Sequence, residues 1–174
     1  MLKYLFYTQV LVCRHSQCDL HSTTNILTTA LAAKCGVDDD NNAKCCTSDL
    51  TLAEYKTLWA RQENDVTSGV NGTLITHAES IELIKSYGLK FTPELKAYTK
   101  GEGMMEYDAL RAKVLDEYVQ ADVTPGDVYV QSFVDADVDY WLANNAQGFK
   151  IVQLMSDYGG QMPAATAGHF LCRR

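Results

Sequence analysis

The stretch DVYVQSFVDADVDYWLANNAQGFKIVQLM, residues 127–155, decides the fold. Its two ends, DVYVQSF and FKIVQLM, are short and rich in β-branched and aromatic residues, and each reads as a strand. Between them ADVDYWLANN reads as a helix. A strand, a helix and a strand joined by short connections imply parallel strands with a covering helix. The same alternation extends toward the N-terminus. Pro125-Gly126 makes a turn. A long helix is predicted over 106–120, with Tyr107, Leu110, Val114 and Tyr118 on one face. LKFTPELK, residues 89–96, is a further short strand. Before it, Thr76 and Glu79 have the spacing of a capping box opening ESIELIKSY, and Gly88 is placed to stop that helix. From residue 76 the order is helix, strand, helix, strand, helix, strand. Two architectures fit, an open doubly wound sheet or a (β/α) barrel. Neither G-x-G-x-x-G nor G-x-x-x-x-G-K-[ST] occurs, so nucleotide loops find no support. A closed eight-stranded barrel usually takes ~250 residues, and only about four strands are clear here.

The first third reads differently. QVLVC, residues 9–13, looks like a short buried strand. The start, MLKYLFYTQVLVC, is broken by Thr8 and Gln9 and followed by Arg14 and His15, which suits a strand better than a signal peptide. Residues 35–49, CGVDDDNNAKCCTSD, form a polar loop. Thr51 and Glu54 make a second capping-box pattern, predicting a helix through AEYKTLWAR. Residues 62–73 return to loop chemistry.

Whole-chain properties set limits. With 174 residues the chain is expected to be one domain, 1–174. The net charge of -7, without a Lys/Arg stripe, argues against nucleic acid as a partner. No apolar run approaches the ~20 residues that span a bilayer. Six cysteines stand at 13, 18, 35, 45, 46 and 172. Such clustering means disulfides in an exported protein and metal binding in a cytosolic one. Asn71-Gly72-Thr73 fits a glycosylation acceptor.

Two stretches carry candidate chemistry. In VCRHSQCDLHSTTNIL, residues 12–27, Cys13, His15, Cys18 and His21 are crowded together. Structural zinc sites separate two ligand pairs by a longer loop, which is absent here. A nucleophilic cysteine needs a base beside it, and Cys13 has neighbours that a strand would point the other way. A histidine at a strand end suits proton transfer, since its pKa lies near neutrality. The plainer alternative is a loop histidine that only hydrogen-bonds. In TPELK, residues 92–96, Glu94 and Lys96 share one strand face. A carboxylate there can take a hard cation and a lysine a phosphate, or the two can form a solvated pair.

At these residues the sequence resembles the glycerophosphodiester phosphodiesterases of the exported, cysteine-containing kind. LVCRHSQCDLHSTTNIL is similar to the family's histidine motif, CCTSDLTLAEYKTL to the segment after it, TPELK to its Glu-x-Lys strand and YVQSF to the next strand. The resemblance covers residues 9–158. It implies a TIM-type (β/α)8 barrel that hydrolyses glycerophosphodiesters to an alcohol and glycerol 3-phosphate. It implies a divalent cation, calcium or magnesium, with calcium favoured. Carried across, His15 matches the second of two proton-transferring histidines, Glu94 a metal-binding carboxylate, and Lys96 the lysine beside the substrate phosphate. The leaving alkoxide needs a proton, which His15 would supply; the family's other histidine activates a nucleophile such as the glycerol hydroxyl. A periplasmic or secreted location is implied as well.

Other family features are missing. The His-Arg-Gly and Glu-x-Asp motifs do not precede VCRHSQCD, the usual His-Asp pair is His15-Ser16, and GQMPAATAGHFLCRR does not resemble the later strands. The expectation is therefore a partial barrel without its N-terminal and C-terminal strands. Such a chain would be inactive alone and prone to self-association through exposed barrel edges. The alternatives are a non-catalytic disulfide-stapled binding module and a Cys/His metal-binding module.

Overall fold

This computed structural model describes residues 18, 20–39, 44–61, 71–96 and 105–155, together with the backbone of 171–173. The strand expected at 9–13 lies outside the described residues. The chain gathers into two compact units, Met1–His77 with Tyr98–Met105, and Ala78–Ala97 with Glu106–Arg174.

The first unit has little regular structure. Its helices are α1 (Leu20–Thr23), α2 (Leu31–Cys35) and α3 (Leu52–Tyr55). Its strands β1 (Trp59–Ala60) and β2 (Gly72–Thr73) pair antiparallel, with Trp59 opposite Thr73. Helices this short do not hold themselves together in water. They are instead arranged around Leu20, Ile26, Cys45, Leu50, Tyr55, Leu58 and Leu74, which are buried together. Two disulfides, Cys18–Cys46 and Cys35–Cys45, cross-link the segment. Side chains close the remaining backbone groups. Trp59 N–H donates to Asn25 Oδ1 at 2.7 Å, and the Arg61 guanidinium donates to the carbonyls of Ser22 and His21 at 3.2 and 2.8 Å.

The capping box at Thr51 forms: Thr51 Oγ1 accepts from Glu54 N–H at 3.2 Å, and Thr51 N–H donates to Glu54 Oε2 at 2.6 Å. The helix after it is much shorter than the sequence predicts. It ends at Tyr55, and Trp59–Ala60 become β1. Tertiary pairing overrides local propensity here, because the chain past Leu58 finds partners in β2, in Asn25 and in Thr23, whose carbonyl accepts from Arg61 N–H at 2.8 Å.

The second unit holds α4 (His77–Ser86, its first residue at the boundary), α5 (Tyr107–Gln120), β3 (Tyr129–Ser132), α6 (Asp135–Ala143), β4 (Lys150–Gln153) and β5 (Leu171–Arg173). α4 stops at the expected glycine: Gly88 has φ +64°, and Gly88 and Leu89 N–H groups return to the carbonyls of Lys85 and Ile84, a Schellman closure. β3 and β4 pair in parallel, Val130 beside Ile151. On the other side of β3 the chain through Phe91 and Glu94 runs parallel to it, and Pro93, with no N–H, leaves a gap in that ladder. Phe91, Val128, Val130, Ile151, Val138 and Trp141 form the buried centre. α5 presents Val114, Leu115 and Tyr118, and the Tyr118 ring meets Phe91 edge-on at 5.2 Å. Burial, and to a smaller extent Glu117, raise the Tyr118 hydroxyl's pKa far above its usual range.

The parallel, helix-covered strands match the alternation read from residue 76. The TIM-type barrel does not exist here, and that expectation is corrected. β4 pairs on its outer side with β5, antiparallel, whereas every neighbour in a (β/α)8 barrel is parallel. The first unit adds only the two-stranded β1–β2 ribbon. The described strands therefore form two small open sheets. An amphipathic β-α-β run dictates parallel pairing but not closure; the partner of the last strand decides that.

Candidate functional site

In open α/β sheets, ligands meet the carboxyl ends of the strands. Here that edge is formed by the residues after Glu94, after β3 and after β4. Each comes to the edge because the parallel register carries Glu94 beside Gln131 and Ser132 beside Gln153.

Glu94 and Lys96 are brought together as their spacing predicts. Lys96 Nζ stands 2.8 Å from Glu94 Oε1. Lys96 also lies 5.8 Å from the centre of the Phe133 ring, which is half-exposed at the end of β3. Glu94 Oε1 is sealed from solvent, with the Lys96 ammonium as its close charged neighbour. Beside it, Gln153 Nε2 lies 3.2–3.5 Å from the carbonyls of Ser132, Phe133 and Leu154, long and weakly committed contacts.

A buried network underlies this edge. Ser132 Oγ lies 2.9 Å from the carbonyl of Leu95, the residue between Glu94 and Lys96, and 2.7 Å from Asp137 Oδ2. It also accepts from Val134 N–H at 3.0 Å. Its one proton must serve two acceptors, so the hydroxyl is shared between the strand end and α6. Asp137, fully buried, takes Arg111 Nε and Nη2 on Oδ1, both at 2.8 Å. Arg111 Nη1 reaches Asp108 at 2.7 Å, and Trp141 Nε1 donates to the Arg111 carbonyl at 3.0 Å. Burial disfavours the guanidinium charge, but the bonds to Asp137 and Asp108 outweigh it and raise the Arg111 pKa. Sequence reasoning passed over Ser132, Asp137 and Arg111. Their signal was slight, an aspartate on the inward side of the apolar stretch DVDYWL.

His15 lies outside the described residues, so no position is given to it. His21 serves through its backbone, its carbonyl accepting from Arg61. Cys18, Cys35, Cys45 and Cys46 are disulfide-bonded. Those four sulfurs are therefore not available as thiolate ligands, while Cys13 lies outside the described residues. Among the described residues no three acidic, histidine or cysteine side chains gather as a cation site. Glu94 is a lone carboxylate with an ammonium against it, and by itself does not fit a calcium ion, which takes six to eight oxygens. No helix among the described residues is long and apolar enough to cross a membrane.

No family model matches the chain. Over 99 residues it is 33% identical to a protein of Arthroderma benhamiae named "Extracellular protein". The match takes in 55% of this chain and 40% of that relative, so the chain spans less than half of the relative's length. The relative's name states a location and no activity. Together with two disulfides, it is consistent with secretion.

Proposed function

We propose that this chain is part of an exported hydrolase of glycerophosphodiesters, releasing an alcohol and glycerol 3-phosphate, with Lys96 and Glu94 at the substrate phosphate. The observation that carries the reading is the Lys96 ammonium, nearly half exposed and held 2.8 Å from Glu94 Oε1 at the carboxyl edge of a parallel sheet. Lys96 is nearly half exposed, so a phosphodiester oxygen can reach its ammonium. There it would offset charge that grows as phosphorus is attacked. In a chain of net charge -7, a local cation of this kind is what draws an anion in.

The resemblance supplies the remaining parts. It gives His15 the task of protonating the leaving alkoxide, and it gives the site a divalent ion, calcium before magnesium. In that reading Glu94 is a ligand of the ion, as the resemblance assigns it. Export to the periplasm or medium is part of the same reading, supported by the disulfides and by the relative's name.

A second reading has its own observation. Two disulfides in a short segment support a stapled module that binds without catalysis. Glycerophosphocholine hydrolysis with added calcium separates the two. The enzyme reading expects glycerol 3-phosphate release that falls roughly 10²–10³-fold in Lys96→Met and by a similar or larger factor in Glu94→Gln and His15→Ala. Release that is unchanged in all three variants, or absent from the parent chain with calcium added, overturns it.

A further inference from the structure

We infer that Asn71 is the acceptor of an N-linked glycan, and that the first sugar of that glycan lies against Trp59. The inference rests on the export reading, since only an exported chain meets the transferase. Asn71-Gly72-Thr73 is the sole Asn-x-Ser/Thr sequence among the 174 residues. All three residues are exposed. They stand at the start of β2, at one end of a ribbon two residues long. The middle position has a structural reason to be glycine: a Cβ there would come within 3.3 Å of the Ala60 Cβ. The sequon is therefore compatible with the fold as it stands.

Trp59 gives the attached sugar a surface. It is 53% exposed, while the other tryptophan, Trp141, is fully buried. Trp59 lies directly across from Thr73, and cross-strand partners share a face. Asn71 is two residues before Thr73, the spacing that returns to the same face along an extended chain. A pyranose presents a face of C–H bonds, and an indole is a flat apolar partner for it. The exposed ring would then be covered by sugar rather than left in water.

The step is a group transfer. The Asn71 side-chain nitrogen bonds to the anomeric carbon of an oligosaccharide carried on a lipid diphosphate. The bond from that carbon to the diphosphate oxygen breaks, and the lipid diphosphate leaves with the electron pair. The displaced amide proton goes to a base of the transferase.

The test isolates the protein from the medium and from the cells of the organism that makes it. The peptide containing Asn71 is weighed before and after an amidase that turns a glycosylated asparagine into aspartate. The expected result is a hexosamine-bearing peptide in the medium, with aspartate in place of the asparagine once the amidase has acted. Protein in the medium with Asn71 bare overturns the inference while leaving export intact. Protein confined to the cytosol with free thiols overturns export, and the inference with it. The Trp59 contact is read by quenching with neutral acrylamide, to which buried Trp141 contributes less than exposed Trp59. Quenching should be stronger after amidase treatment, and in Asn71→Gln, as ring area returns to water. Equal quenching in all three forms removes the contact.

Discussion

The two units reach stability by different means. Unit Ala78–Ala97 with Glu106–Arg174 has helices of ordinary length on parallel strands, and its centre is apolar side chains sealed around one buried ion pair. The described part of the other unit has helices of four or five residues and strands of two. It relies on covalent cross-links and on side chains bonded to backbone. The lesson is that a segment without repeating structure can be held by restricting what its unfolded chain may do. The bridges Cys18–Cys46 and Cys35–Cys45 are concentric, closing 28 and 10 residues of separation onto adjacent anchors.

The sharpest way to break this contrast is to remove the bridges. Replacing all four cysteines with serine should cost roughly 6 kcal/mol, about 3.6 for the longer loop and about 2.7 for the shorter in the chain-entropy account. Hydrogen exchange should show protection lost over residues 20–61 and retained over 107–153. Equal loss in both stretches would mean that the cross-links hold the sheet too. The converse experiment is Asp137→Ala. It leaves Arg111 with a buried charge and only Asp108 to meet it, and should cost about 3 kcal/mol, read by urea unfolding, with the exchange loss now centred on 107–153. A third, milder change is Ser132→Ala, expected to cost about 1–3 kcal/mol because Asp137, Leu95 and Val134 each lose a partner. It should also loosen Lys96 against Glu94, with little change in the far-ultraviolet spectrum.

The same contrast explains what the sequence disclosed. From residue 76 onward, apolar periodicity and Gly88 read correctly because each element buries its own face against a sequential neighbour. Glu94 and Lys96 could be paired for the same reason, since strand spacing sets their common face. Barrel closure could not be read that way. It turns on β5 lying antiparallel to β4, a contact between residues 151–153 and 171–173 that no local pattern announces. In the first unit the capping box at Thr51 was legible, but the length of α3 was not. Pairing of Trp59–Ala60 with Gly72–Thr73 is a non-local event, and it took residues that local propensity would have kept helical. The Ser132–Asp137–Arg111 network was hidden similarly, its members being brought together by the β3–α6 turn and by α5.

Acid sensitivity gives the smallest but most selective test, because it is expected in one unit and not in the other. Glu54 is held at about 2, below its ordinary 4.5, first by the hydrogen bond from Lys34 and then by those from Thr51. Lys34 Nζ lies 2.9 and 2.7 Å from the two carboxylate oxygens. A carboxyl depressed in the folded state contributes its full stability above the unfolded value and loses it as pH falls through the folded one. The first unit should therefore weaken between pH 4.5 and about 2. The pair is open to solvent, so the change should stay below about 1 kcal/mol and shrink in high salt. Glu54→Gln keeps an acceptor at the third helical position, as the capping box allows, and removes the titrating group. The difference between parent and variant, followed by exchange at residues 51–58, should thus vanish near pH 2 and grow toward pH 5. In the second unit Arg111 keeps its charge throughout, its pKa already raised by Asp137 and Asp108, so no matching difference should arise there. A parent-minus-variant difference that is flat with pH, or that moves residues 107–153 instead, would show that the Lys34–Glu54 bond does not hold α3 in place.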